Sequence, residues 1–206
     1  MNLKSSFFEK TSRSIRIFHD EEFAAQQLSK QLGLLLPTDP ARPVVIVCIG
    51  TDRSTGDSLG PLVGTKLKEK SLSHFHIYGT LKDPIHAINL KDTLKIIQKE
   101  FDNPFIIGID ACLGRMKSVG SVSLGIGPVK PGAGVNKELP PVGDIHMTGI
   151  VNVSGFMEFF VLQNTRLYLV MSIAELIATS IQYAYQTSRG PSVSLSSHSY
   201  RLEYEK

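Results

Sequence analysis

The chain has 206 residues, with 22 Lys and Arg set against 19 Asp and Glu for a formal net charge of +3. That length suits one α/β domain able to bury a sizeable core, and the slight basic excess is spread along the chain, which argues against nucleic acid or a membrane surface as partner. Two cysteines, Cys48 and Cys112, cannot build a disulfide framework, so a reducing, cytoplasmic setting is expected.

From Met1 to Phe18, Lys, Arg and Ser mix with isolated Phe and Ile, and no apolar h-region of a signal peptide forms. Residues 1–19 read as an N-terminal extension to a domain over 20–186. Within 21–36 the apolar positions Phe23, Leu28, Leu32 and Leu35 recur at roughly helical spacing, and Pro37 closes the segment. Pro43 opens Val44-Val45-Ile46-Val47-Cys48-Ile49, a β-branched run without alternation, the pattern of a strand covered on both faces. The turn-rich stretch 50–56 leads into a helix that starts at Asp57 and Ser58 and runs to Lys70. A short strand is predicted at Phe75–Tyr78, then a helix over 89–101 with Leu90, Leu94, Ile97 and Phe101 on one side, then a second buried strand over 105–110. Residues 120–126 read as a further strand and 127–143 as a Gly/Pro loop. Helices over 156–163 and 173–186 flank a strand predicted at 167–171. No run is expected to reach the ~20 apolar residues that span a bilayer. Residues 187–206, Ser-rich and aperiodic, read as a tail or late hairpin. Helices alternating with buried strands predict a single domain with an open, mainly parallel sheet, and such sheets bind ligands at the carboxyl ends of their strands.

Two carboxylates fall at that edge: Asp57 after the first buried strand and Asp110 at the end of the later one. Two carboxyl groups brought together cannot both ionise cheaply, so one keeps its proton while the other stays charged. Such a pair can activate water and protonate a leaving amine, or bind a divalent cation if His146 joins as a third ligand. Each residue also has a plainer role open to it, Asp57 as an N-cap and Asp110 as a turn residue.

The loop Gly50-Thr51-Asp52-Arg53-Ser54-Thr55-Gly56-Asp57-Ser58-Leu59-Gly60-Pro61 resembles the first active-site loop of the spore germination protease family, which implies site-loop roles for Gly50, Thr51, Thr55, Gly60 and Pro61. Ile107-Gly108-Ile109-Asp110-Ala111 resembles the strand end that supplies that family's other catalytic aspartate. The stretch from Gly127 to Lys137 is similar to its Gly-rich loop, which adds Gly132, Gly134 and Asn136. The first loop is also similar to that of hydrogenase maturation endopeptidases, where a carboxylate, an aspartate and a histidine hold nickel. In that alignment Asp57, Asp110 and His146, within Asp144-Ile145-His146-Met147-Thr148-Gly149, take those places. As a whole the chain resembles the YyaC family of sporulation proteins. The resemblance implies a three-layer sandwich, phosphorylase/hydrolase-like as in hydrogenase maturation proteases, in a protein of the forespore or spore interior.

The function expected from these residues is an aspartic-type endopeptidase in which Asp57 and Asp110 activate water, acting on a protein or peptide, in that family context a spore protein, with no cofactor. A metal-assisted variant would hold nickel or zinc with Asp57, Asp110 and His146. The departures from the germination protease pattern, Thr51 for Asn and Gly56 for Pro or an acidic residue, with a shorter chain, motivate a rival: a non-catalytic protein that keeps the fold and binds a peptide or partner. Apolar residues over 156–160 serve either a core or a homo-oligomer interface. Other motifs fail. Gly132-Ala133-Gly134 lacks the third Gly of a dinucleotide fingerprint, Gly120-Ser121-Val122-Ser123-Leu124-Gly125 is not a nucleophile elbow, and Cys112 reads as a small apolar residue sooner than a nucleophile paired with His146.

Overall fold

The computed structural model describes residues 14–70, 72–132 and 139–188. These carry strands β1 (Ile15–Phe18), β2 (Val44–Cys48), β3 (Phe75–Tyr78), β4 (Phe105–Gly114), β5 (Ser121–Ile126) and β6 (Ile145–Val153). The helices are α1 (Ala24–Gly33), α2 (Leu59–Glu69), α3 (Leu90–Glu100), α4 (Glu158–Gln163) and α5 (Leu167–Ser188), with a 3-10 turn at Gly56–Ser58 ahead of α2. The strands form one sheet in the order β1-β5-β6-β4-β2-β3. β3, β2, β4 and β6 pair in parallel, while β5 runs antiparallel to both β6 and β1. One reversed strand in an otherwise parallel sheet is the mainly parallel α/β architecture expected.

All five residues of β2 are buried, as its unbroken β-branched run requires, and successive side chains enter different cores. Val44, Ile46 and Cys48 pack with Leu28, Leu32, Leu59, Val63, Leu67, Ile173 and Ile177 beneath α1, α2 and α5. Val45, Val47 and Ile49 pack with Leu90 and Ile97 of α3 and with Ile85, Val129 and Val142. The sheet is thus the middle of three layers, and each fully buried Leu or Ile contributes about 2 kcal/mol.

Five expectations change. The extension over 1–19 is not wholly outside the fold, because Ile15–Phe18 forms edge strand β1 on β5. Residues 167–171 are the first turns of α5 rather than a strand: burial at Val170, Ile173, Ala174, Ile177, Ala178 and Ile181 follows a helical face, and a short apolar run does not separate strand from buried helix. The segment around His146, for which no element was predicted, is β6, inserted between β4 and β5. At 22 residues α5 is also long and apolar enough by composition to cross a membrane, which no run was expected to be; half of its most apolar stretch is buried inside the fold. Thr187 and Ser188 of the expected tail end α5, and 189–206 lie outside the described residues.

Candidate active site

The loop between β2 and α2 folds back on itself. The Thr51 amide donates to the Asp57 carbonyl at 3.0 Å, and the Gly50 amide to the Ile85 carbonyl at 2.7 Å. A Cβ on Gly50 would lie 2.0 Å from the Asp57 carbonyl oxygen, and one on Gly60 2.1 Å from that of Ile49. The two glycines therefore let the loop close and α2 seat directly on the end of β2. Pro61 sits in the first turn of α2, where its missing N–H costs no helical bond. Thr55 accepts the Ser58 hydroxyl on its carbonyl at 2.7 Å, which tightens the turn bearing Asp57.

Asp57 does not cap α2: neither the 3-10 turn nor the helix has a side-chain cap. Its carboxylate instead faces a cavity of about 200 Å³ at the carboxyl end of the parallel strands, which Asp110 also lines. Asp110 stands in β4 opposite Thr148 of β6, and its Oδ1 accepts the Ala111 amide at 2.9 Å. Burial lifts the Asp110 carboxyl to about 8; the Ala111 hydrogen bond opposes that rise and the Asp57 charge adds to it. Burial also raises Asp57, against the opposing influence of the Ser54 hydroxyl. Ser54 Oγ is itself buried and meets no partner at full hydrogen-bonding geometry.

The structure thus brings Asp57 and Asp110 to one cavity, with Gly132 on its wall. Gly134 and Asn136 lie outside the described residues. His146 stands apart from the pair. It is two residues before Thr148, opposite Gly108 rather than Asp110, and its Nδ1 lies 2.9 Å from the Gly127 carbonyl. Among the described residues no three His, Cys, Asp or Glu side chains converge as a metal site, so the set Asp57, Asp110 and His146 does not assemble. The Cys112 and His146 pairing does not form either. Burial, then the Asp110 and Glu158 charges, hold the Cys112 thiol protonated, and its Sγ donates to the Leu113 carbonyl at 3.2 Å.

The chain matches, over residues 16–180, the family model described as "Protein of unknown function (DUF1256)". It belongs to the DUF1256 family. "Uncharacterized protein YyaC" of Bacillus subtilis (strain 168) is 56% identical over 188 residues, which are 91% of this chain and 92% of the relative. Among solved structures, the NiFe hydrogenase maturation protease HycI from Thermococcus kodakarensis KOD1 is similar at 19% identity with a TM-score of 0.43, covering 68% of this chain and 92% of that one.

The stretch matched to DUF1256 contains both aspartates and every described residue of the cavity wall. Three polar wall residues are not singled out by a reading of the sequence: Lys130, Thr148 and Glu158. A signal for Thr148 exists. Ile145 and Met147 are buried while His146 and Thr148 are half-buried, the alternation of a strand, and it places Thr148 on the face Asp110 uses. Glu158 has no such signal, since it reaches the cavity only because α4 folds back over the Asp57 turn.

Proposed function

We propose that this protein is a hydrolase acting on peptide bonds, with Asp57 and Asp110 as its catalytic pair. One observation carries the reading: two carboxyl groups from separate elements line one small cavity at the carboxyl edge of a parallel sheet, in surroundings that separate their proton affinities. Between the two titrations the pair carries one proton. Asp110, lifted to about 8, holds it as a neutral acid at pH 7, and Asp57 is the base.

In the forward step Asp57 takes a proton from water as the water oxygen bonds to the substrate carbonyl carbon. Asp110 donates a hydrogen bond to the carbonyl oxygen, keeping its proton until it delivers that proton to the departing amide nitrogen as the C–N bond breaks and the C=O bond re-forms. The proton now on Asp57 returns to Asp110, leaving a carboxylic acid, an amine and the starting pair. Lys130, the cation on the cavity wall, offsets charge developing on the carbonyl oxygen. Among the described residues no three His, Cys, Asp or Glu side chains form a ligand set for a resident metal.

The test is incubation of the protein with a mixed peptide library, followed by mass spectrometry. Wild type should generate new termini, while Asp57→Asn and Asp110→Asn, each folded by circular dichroism, should each lose about 10³-fold or more in rate. Undiminished cleavage in either variant removes the pair from the mechanism. Peptides bound but never cut would favour the rival, a non-catalytic peptide- or partner-binding protein that retains the fold.

A further inference from the structure

A cavity of about 200 Å³ holds the scissile bond and little else, so the rest of a polypeptide must run over the rim. One side of that rim is α4. Its inner face is fixed to the catalytic turn: a Cβ on Gly56 would come 2.7 Å from Leu162 Cδ2 and 3.1 Å from its Cα, and Asn152 Nδ2 donates to the Val161 carbonyl at 3.3 Å. Glu158 and Leu162 of the same helix line the cavity. Its other side, together with the two residues before it, is apolar and exposed among the described residues. Phe156 is 90% exposed, Met157 52%, Phe159 51% and Phe160 52%, with the Phe159 and Phe160 rings edge to face at 5.8 Å. Four large apolar side chains within five residues are a patch, unlike a lone exposed Leu. The backbone holds them there through Met157, a non-glycine residue in the left-handed region at φ 60° and ψ 47°, a conformation that persists only where the surroundings impose it.

We propose that Phe156, Met157, Phe159 and Phe160 form the docking surface for an apolar stretch of polypeptide that flanks the bond to be cut. The proposal rests on the peptidase reading, because the partner is taken to be a polypeptide from the chemistry of the adjoining cavity. The same helix carries both surfaces, with Glu158 and Leu162 lining the cavity and Phe159 and Phe160 exposed, so a chain lying on α4 is beside the space that Asp57 and Asp110 line. Exposed aromatic rings of this kind supply contact area at low side-chain entropy cost. Specificity then lies in the apolar side chains beside the scissile bond.

The test measures fluorescence anisotropy of two short fluorescein-labelled peptides, one with consecutive Leu and Phe residues and one with Ser at the same places. The receptor is the full chain carrying Asp110→Asn, so that the peptides stay intact. The apolar peptide should bind at least about tenfold more tightly, and Phe159→Ser with Phe160→Ser should erase that margin at an unchanged melting temperature. Should the double variant not fold, Phe156→Ser alone, at the most exposed ring, should cut the margin. Equal binding of the two peptides, or a margin that survives the substitutions, overturns the proposal. Wild type that binds the apolar peptide through these rings yet never cuts it supports the docking surface and sinks the peptidase reading. Wild type that cuts both peptides with equal KM does the reverse. Sedimentation velocity supplies the remaining outcome: a dimer that Phe159→Ser and Phe160→Ser dissociate makes the patch an interface between copies and overturns the proposal.

Discussion

Asp57 and Asp110 carry the same functional group in different surroundings, and the difference makes opposite predictions for the two limbs of a pH profile. Cleavage should rise as Asp57 ionises, above the ordinary aspartate range, and fall near pH 8 as Asp110 loses its proton. Ser54 opposes the burial of Asp57, so Ser54→Ala should move the acid limb of kcat to higher pH and leave the basic limb in place; an unmoved acid limb would deny Ser54 that influence. Asp110 also has a consequence for stability. Its carboxyl is raised from 3.8 to about 8 in the folded chain, so between those values the folded state holds a proton that the unfolded state has released. Stability therefore falls as pH rises through that window. Asp110→Asn keeps an acceptor for the Ala111 amide and removes the titration. It should raise the melting temperature by about a few degrees at and above pH 8 and by little near pH 4, as thermal melts across pH would record.

The elements that position this pair were legible in the sequence where both faces of a strand are buried. β2 and the start of β4 read directly as β-branched runs after Pro43 and Pro104, and the sheet-edge rule then pointed to Asp57 and Asp110. β6 was not read, because its apolar–polar alternation lasts only from Ile145 to Thr148 before Gly149 interrupts it, and pairing on both sides with β4 and β5 is what makes it a central strand. With β6 unread, His146 looked free to approach the carboxylates and Thr148 went unnoticed. The loop glycines were legible as a motif but not as contacts. Gly60→Ala should push the new Cβ into the Ile49 carbonyl and cost about 1–3 kcal/mol. Gly33→Ala, at the end of α1 with nothing within 4 Å, should be neutral or stabilise by about 0.4–1 kcal/mol. Urea denaturation of the two variants compares them directly, and equal effects would contradict the close seating of α2 on β2.

For the whole molecule, the decisive element is α5, whose composition alone is compatible with a membrane span. The three-layer packing gives its apolar residues another task. Val170, Ile173, Ala174, Ile177, Ala178 and Ile181 enter the core shared with α1, α2 and the sheet. Glu175 on the same helix pairs with Lys66 of α2 at 2.6 Å, and both burial and the Lys66 hydrogen bond are felt in its carboxyl, which is held below the usual range chiefly by that bond. Insertion of α5 into lipid would open that core and strand Glu175 away from its lysine. Two substitutions separate a core helix from a lipid-facing one. Ile177 is fully buried, and Ile177→Asp places a carboxylate where the core around α5 supplies apolar neighbours, so it should cost about 3–5 kcal/mol or abolish folding. Leu167 is 57% exposed, and Leu167→Ser should change stability by no more than about 0.5 kcal/mol. If α5 met lipid along its exposed side, the ranking would invert: Leu167→Ser would weaken association with vesicles, and stability would depend on detergent. A detergent-independent urea transition with the expected ranking makes α5 the central support of the layer beneath the Asp57 turn.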